Sequence, residues 1–84
     1  MVKKTIRFMS SGQMLSFCKC CQNMKSDIDV SDTTGRHFRI DGKSLLGVMS
    51  IQLGLPVLLV IHGEDENLAD EHFSKYEYTL KLSN

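Results

Sequence analysis

The stretch GKSLLGVMS, residues 42–50, is typical of a short helix, and it decides how the rest of the chain is interpreted. Ser44 stands where this helix would begin. Serine is a favoured N-cap because its hydroxyl accepts a hydrogen bond from a backbone amide one turn inside the helix. Gly54 suits the C-terminal stop and Pro56 the exit of the chain. We therefore predict a helix over about 43–52.

The apolar residues of this helix are more numerous than one buried face can hold. Leu45 and Met49 share one face at helical spacing, while Leu46 and Leu53 point elsewhere. Both sets cannot be buried against one sheet, so we expect part of them to stay exposed as a docking patch for another protein. The alternative, in which these residues simply belong to the core, is equally open at this point.

The remaining elements follow from the periodicity of apolar residues. Alternation predicts strands, and apolar residues at i, i+3, i+4 and i+7 predict amphipathic helices. In chain order the predictions are a strand over 2–8, a helix over 13–25, a strand over 28–30, a returning hairpin strand over 37–40 and a central strand over 57–62. The apolar face of the helix over 13–25 is predicted to consist of Met14, Phe17, Cys18, Cys21 and Met24 or Lys25. Its solvated side is predicted to carry Lys19, Gln22, Asn23 and Ser26. Asp65 is predicted to cap a last helix with one apolar face, formed by Ala69, Phe73, Tyr76 and Leu80.

This element order, β-α-β-β-α-β-α, predicts an α+β fold. The economical arrangement is an open-faced β-sandwich, in which the helices cover one face of a four-stranded, mostly antiparallel sheet. The chain has 84 residues, which is the size of one small domain, so we expect a single domain over 1–84.

Composition narrows the class of function. The formal net charge is zero, which argues against nucleic acid as a partner because binding phosphates requires a basic excess. The longest apolar run, residues 55–61, is far shorter than the ~20 residues that span a bilayer, and no signal peptide is recognisable. An odd, clustered set of three cysteines does not suggest a disulfide framework. We expect a cytoplasmic protein with no membrane contact.

The cysteines Cys18, Cys20 and Cys21 invite a metal or redox interpretation. On a helix Cys18 and Cys21 share a face whereas Cys20 points away, and the spacing C-x-C-C is not a structural zinc signature. We therefore expect two core thiols and one flanking thiol, with no metal and no cofactor. A cysteine-based metal or redox module is kept as an alternative function.

The element order, together with KSLLGVMS at residues 43–50, resembles the HPr family, the histidine-containing phosphocarriers of the bacterial sugar phosphotransferase system. The similarity is strongest over 40–50 and extends weakly to 63–66 and to 3–5. In length and element order it covers the whole chain. The resemblance implies the HPr fold and a protein that is not an enzyme.

The family's phosphorylated histidine lies at the start of the first helix, within a Gly-x-His-x-Arg-Pro pattern. The corresponding run here is GQMLSF, residues 12–17, and either Gln13 or Leu15 stands at the histidine position, depending on the direction of counting. Neither offers a nucleophilic imidazole, and no arginine follows to hold phosphoryl oxygens. The resemblance therefore implies a regulatory or diverged paralogue without the phosphorylatable histidine. The alternative is a phosphocarrier that uses a non-standard histidine, among His37, His62 and His72.

By resemblance, Ser44 is also a regulatory phosphorylation site, a role compatible with capping. A phosphate there would face the positive end of the helix dipole. The partners that the resemblance implies are an HPr-type serine kinase/phosphatase and a transcriptional regulator of carbon use. Carried over by position, the partner-binding residues are Leu45, Leu46, Val48, Met49 and Gln52.

Overall fold

The computed structural model describes residues 1–78 and has the predicted α+β architecture. Four strands form one sheet in which every neighbouring pair is antiparallel, and the helices supply the other layer. The strands are β1 (Val2–Ile6), β2 (Asp27–Asp32), β3 (Arg39–Asp41) and β4 (Val57–His62). The helices are α1 (Ser11–Gln22), α2 (Leu45–Met49) and α3 (Ala69–Phe73), with 3₁₀ turns at Glu66–Leu68 and Ser74–Tyr76.

The sheet order is β1-β4-β2-β3, so the prediction that 57–62 forms a central strand is confirmed. Val57, Leu59 and Ile61 are all fully buried on the helix-covered face of β4. The residues between them point to the open face and are only half-buried. This alternation is the pattern of an antiparallel sheet with one covered side.

The first helix, α1, spans Ser11–Gln22 rather than the predicted 13–25. It begins earlier because Ser10 caps it, with its hydroxyl accepting a hydrogen bond from the Gln13 amide at 3.1 Å. It ends earlier because the amides of Asn23 and Met24 bond three residues back and tighten the last turn. The predicted buried face is confirmed and consists of Met14, Phe17, Cys18 and Cys21.

The second helix, α2, is also shorter than the predicted 43–52 and spans Leu45–Met49. At its start Lys43 belongs to a turn, in which the Asp41 carboxylate accepts a hydrogen bond from the Lys43 amide at 2.9 Å. At its end the Ser50 hydroxyl donates to the carbonyl of Gly47 at 2.6 Å, and the Ser50 amide donates to the same carbonyl at 3.1 Å. These local bonds replace the continuation of the helix.

The last helix differs from the single helix that was predicted. It is divided into a 3₁₀ turn, α3 and a second 3₁₀ turn, and Asp65 makes no side-chain capping bond to it. The Asp65 carboxylate bonds instead to residues of the connection between α1 and β2, described below. Ala69, Phe73 and Tyr76 are buried as predicted, whereas Leu80 lies outside the described residues.

Four aromatic rings hold the helices and β1 together. Phe8, Phe17, Phe73 and Tyr76 are almost fully buried, and the ring centroids of Phe8 and Phe17 lie 5.0 Å apart. Phe17 also packs on Phe73 at 5.2 Å, with a tilted geometry that aromatic pairs favour. Within residues 1–78, no helix is both long and apolar enough to cross a membrane.

The outer edge of the sheet at β1 is partly covered by the chain that follows the second 3₁₀ turn. Glu77 forms an isolated antiparallel bridge with Ile6, and the Tyr78 amide donates to the Thr5 carbonyl at 2.8 Å. At the opposite edge β3 has only three residues. Both edges of the sheet are therefore short or partly paired.

Candidate functional site

Ser44 is exposed and caps α2, which confirms the capping prediction. Its hydroxyl accepts a hydrogen bond from the Gly47 amide at 3.3 Å, and its carbonyl accepts one from the Val48 amide at 2.9 Å. The Ser44 amide donates to the carbonyl of Asp41 at 3.0 Å, which fixes the entry of the chain into the helix. The hydroxyl therefore lies at the surface, on a backbone whose geometry is determined by neighbouring bonds.

The side chains around Ser44 are mostly exposed, with one exception. Leu46 is 87% exposed, Leu45 41% and Met49 42%, and Gln52 is exposed as well. Val48 is fully buried in the core, so the inclusion of Val48 in the partner-binding face was wrong. The reason is that Val48 and Ile51, three residues apart, form the stripe by which this segment joins the hydrophobic core.

Gly47 brings α2 unusually close to β3. A Cβ atom at Gly47 would lie 2.6 Å from the Cγ2 atom of Ile40, closer than carbon atoms pack. The missing side chain lets the helix axis approach the strand, and Val48 then reaches the core. Leu45, Leu46 and Met49 stay exposed on the rest of the helix surface.

The exposed apolar residues continue beyond α2. Leu53 is 50% and Leu55 36% exposed, and Met9 is 58% exposed next to Phe8. The carbonyl of Phe8 accepts a hydrogen bond from the Gly54 amide at 2.7 Å, which joins the start of α1 to the segment after α2. We call these six exposed side chains the α2 patch: Met9, Leu45, Leu46, Met49, Leu53 and Leu55.

An apolar groove lies beside the C-terminal end of α2. It has a volume of about 330 Å³. Its wall includes two residues of the β3 side, Phe38 and Ile40, and four residues that follow α2, Ser50, Ile51, Gln52 and Leu55. Leu55 thus belongs to both the groove and the α2 patch.

The two candidates for the position of the family histidine lie in the first turns of α1. The Gln13 side-chain oxygen accepts a hydrogen bond from the Met9 amide at 2.8 Å, while the Gln13 amide donates to Ser10. This is a variant of the capping box, and its signature, serine followed three residues later by glutamine, is visible in the sequence. Leu15 is 41% exposed. Gln13 therefore has a structural task at the helix start.

The cysteines are all free thiols. Cys18 and Cys21 are buried and Cys20 is half-buried, so the expectation of two core thiols and one flanking thiol is confirmed. Burial raises the pKa of Cys21 far above its ordinary value, and burial likewise raises the pKa of Cys20. Protonated thiols are poor metal ligands and poor nucleophiles. Within residues 1–78, no group of three or more His, Cys, Asp or Glu residues is placed to hold a metal ion.

The three histidines lie apart, in the β2–β3 connection, at the end of β4 and in α3. The imidazole of His37 pairs with the Asp32 carboxylate at 3.0 Å and is well exposed. The Thr34 hydroxyl, and after it His37, hold the pKa of Asp32 far below its usual range. Asp32 also accepts the His37 and Phe38 amides at 3.0 and 3.3 Å, so it organises the connection.

A hydrogen-bonded cluster that was not predicted joins the α1–β2 connection to the segment after β4. The Asp65 carboxylate accepts the amides of Lys25 and Ser26 at 2.8 and 2.9 Å, and also the Ser26 hydroxyl. Ser26 is 1% exposed, so its predicted place on the solvated side of the helix was wrong. The Ser26 hydroxyl, and then the Lys25 amide, lower the pKa of Asp65. Partners 39 and 40 residues apart leave no local signal in the sequence.

Lys4 is a second residue whose role was not predicted. It lies on the helix-covered face of β1, with its side chain 11% exposed, and its ammonium pairs with Asp70 and with Glu77, the latter at 2.6 Å. The hydrogen bonds to Asp70 and then to Glu77 raise the pKa of Lys4. Side chains two residues apart in a strand point to the same face, so the spacing of Lys4 from Val2 and Ile6 could have indicated that Lys4 faces the helices.

The sequence matches no protein-family model and no curated protein. The structure is similar to the crystal structure of HPr-C-His from Thermoanaerobacter tengcongensis, with a TM-score of 0.73 and 23% sequence identity. The similarity covers 89% of this chain and 89% of that chain. The chain therefore has an HPr-like fold.

Proposed function

We propose that this chain is a regulatory or diverged HPr-like protein that lacks the phosphorylatable histidine and acts through protein–protein contacts. The observation that carries the proposal is the exposed Ser44 hydroxyl, which caps α2 beside the exposed Leu45 and Leu46. The fold similarity supports the choice of family, and the bonded Gln13 supports a structural task in place of phosphoryl transfer.

The proposed regulation is phosphorylation of Ser44. A serine kinase would transfer the γ-phosphoryl group of ATP to Oγ, with ADP leaving and the hydroxyl proton passing to a base of the kinase. The modification would add about −1.5 to −2 charges at the start of α2. Backbone amides at a helix start and the helix dipole tolerate a negative charge there, so the fold would persist. The charge would stand beside Leu45 and Leu46 and alter what docks on them.

The proposed partners are an HPr-type serine kinase/phosphatase and a transcriptional regulator of carbon use. The docking residues are Leu45, Leu46, Met49 and Gln52, without Val48. Exposed Leu and Met side chains at helical spacing form an adaptable contact surface. These four side chains remain exposed to solvent in the folded chain.

The direct test is incubation with ATP and an HPr-type serine kinase, followed by mass spectrometry. We expect one phosphoryl group on Ser44 and none on the Ser44→Ala variant. Ser50→Ala is the matched control, because Ser50 is an exposed serine at the other end of α2. Label that persists in Ser44→Ala, or is lost in Ser50→Ala alone, contradicts the role of Ser44.

A second experiment separates this proposal from the alternative phosphocarrier. The protein is incubated with phosphoenolpyruvate and the first enzyme of the phosphotransferase system, and acid-labile phosphate is measured. We expect none, because the first turn of α1 carries Gln13 and no imidazole. Acid-labile phosphate on His37, His62 or His72 would instead favour a phosphocarrier with a non-standard histidine.

A further inference from the structure

We propose that the α2 patch binds a second copy of this chain, forming a two-fold dimer in which Leu46 of each copy docks in the apolar groove of the other. The dimer would use the surface that the proposed function assigns to protein partners. It requires no kinase and no other protein. The arguments come from charge, area and shape.

The charge distribution favours contact between identical surfaces. No residue from Ser44 to Ile61 carries a charged side chain, and the same is true from Phe8 to Cys18. Two copies brought together through these segments meet no like-charge repulsion, and a formal net charge of zero adds none at longer range. Homodimer interfaces are more apolar than those between different soluble proteins. The two segments that supply the α2 patch therefore add no charge to a contact between two copies.

The exposed area is sufficient for a weak dimer. The exposed fractions of the six side chains in the α2 patch correspond to on the order of 600 Å² per copy, compared with about 800 Å² per partner in a standard interface. Isolated apolar patches of this size are at the upper end of what monomers expose. Because this area is below the standard size, we expect a weak, reversible dimer with a dissociation constant on the order of tens of micromolar.

Shape adds a specific contact. Leu46 is 87% exposed, more than any other large apolar residue that the structure describes. The groove of about 330 Å³ is lined by Phe38, Ile40, Ile51 and Leu55, and it begins where the segment of Leu46 ends. A two-fold contact requires that each copy carry both the protruding residue and its receptor site. The segment from α2 to Leu55 carries the protruding residue, Leu46, and borders the groove that would receive it.

Ser44 connects this dimer to the regulation proposed above, and only this step rests on the phosphorylation. A negative charge at Ser44 would lie near the interface in both copies. Two such charges repel and must lose water on contact, so modification would favour the monomer. Phosphorylation would then free the α2 patch for another protein.

The experiment is analytical ultracentrifugation of the full chain from about 1 µM to about 1 mM, a range that brackets this dissociation constant. We expect monomer at the low end and dimer at the high end. Leu46→Glu should stay monomeric throughout, while Leu68→Glu, at an exposed leucine outside the α2 patch, should dimerise like the wild type. Ser44→Asp keeps a good N-cap and should weaken the dimer on the order of tenfold. Circular dichroism verifies that each variant is folded.

Three results would overturn the proposal. If the wild type is monomeric at every concentration, the α2 patch does not bind a second copy and is available only to a different protein. A dimer that survives in Leu46→Glu uses another surface. Species that grow beyond the dimer with concentration indicate an open head-to-tail contact instead of a two-fold one. None of these results bears on whether the kinase labels Ser44, so the two proposals can fail separately.

Discussion

The segments that lead into and out of β4 have opposite chemistry. The incoming segment, 44–56, contains no charged residue and exposes leucine and methionine side chains. The outgoing segment, 63–71, contains five acidic residues. Both segments are attached to the same buried central strand. We therefore relate their difference in charge to the contacts that each segment makes.

The acidic segment is largely satisfied within the chain. Glu66 pairs with the N-terminal ammonium, Glu64 with Lys25 at 3.2 Å, and Asp70 with Lys4. Asp65 accepts three hydrogen bonds from Lys25 and Ser26. Within residues 1–78, no comparable contact covers Leu46 or Leu53. The comparison shows that the acidic side chains after β4 mainly stabilise the fold, whereas the uncharged α2 patch before β4 is the surface that remains free for a partner.

The largest expected effect is at the outgoing segment, with Gly63→Ala. A Cβ atom there would lie 2.5 Å from the Cα atom of Ser26, and a backbone atom cannot move aside as a side chain can. We expect the free energy of unfolding to fall by about 3 kcal/mol in urea titrations. Gly12→Ala is the control, since its nearest neighbour is 3.7 Å away and no loss is expected. Equal stability of the two variants would show that the outgoing segment does not approach Ser26 as closely as described.

The next largest effect distinguishes the buried residue of α2, Val48, from an exposed one, Leu46. Val48→Ala should reduce the free energy of unfolding by about 2 kcal/mol, because Val48 is fully buried. Leu46→Ala should change it by less than about 0.5 kcal/mol, because Leu46 is exposed. Thermal and denaturant unfolding measure both. A large loss for Leu46→Ala would mean that the α2 patch belongs to the core, which would remove the contrast between the two segments.

Gly47→Ala tests how closely α2 approaches β3. We expect a loss of about 1 kcal/mol, smaller than at Gly63 because the clash is with a side chain and alanine is the better helix former. In an Ile40→Ala background the clashing methyl group is gone, so the same substitution should become neutral or stabilising. A double-mutant cycle gives the coupling energy. No coupling would contradict the close packing of the helix on the strand.

The smallest effect concerns the ion pairs of the outgoing segment. Lys4→Met should cost at most about 1 kcal/mol, since solvent screens pairs with exposed carboxylates. The pKa of Lys4 is raised in the folded state, so its contribution is complete below the unfolded pKa of about 10.4 and is lost as pH rises through the folded value. Lys3→Met, on the opposite face of β1, is the control. If the difference in stability between Lys4→Met and Lys3→Met does not shrink at high pH, the ion pairing of Lys4 is contradicted.

The fold was predictable because each element carries a local period. Alternation located the strands, the run at 57–62 marked the centre of the sheet, and helical spacing identified Phe17 and Cys21 as core. The capping role of Ser44 was predictable for the same reason, since the bond it makes spans three residues. Element ends were less predictable because single bonds, such as that of Ser50 to Gly47, decide them.

The candidate site was predictable only in part. Leu46 and Val48 have similar chemistry and neighbouring positions, so residue type alone does not tell that Val48 is buried and Leu46 exposed. Asp65 has the residue type and position of an N-cap, yet its carboxylate turns to Ser26, 39 residues earlier. The contact between Asp65 and Ser26 exists only after the sheet has formed, and no short window of sequence contains both partners.

The last residues described have a consequence for how the protein is handled. Glu77 and Tyr78 occupy hydrogen-bonding positions on the outer side of β1. A version shortened to end at Tyr76 would bare these positions and offer a template on which strands of other molecules could assemble. Deletions that remove Glu77 and Tyr78 are therefore expected to promote association through this edge, which sedimentation of the shortened protein would detect.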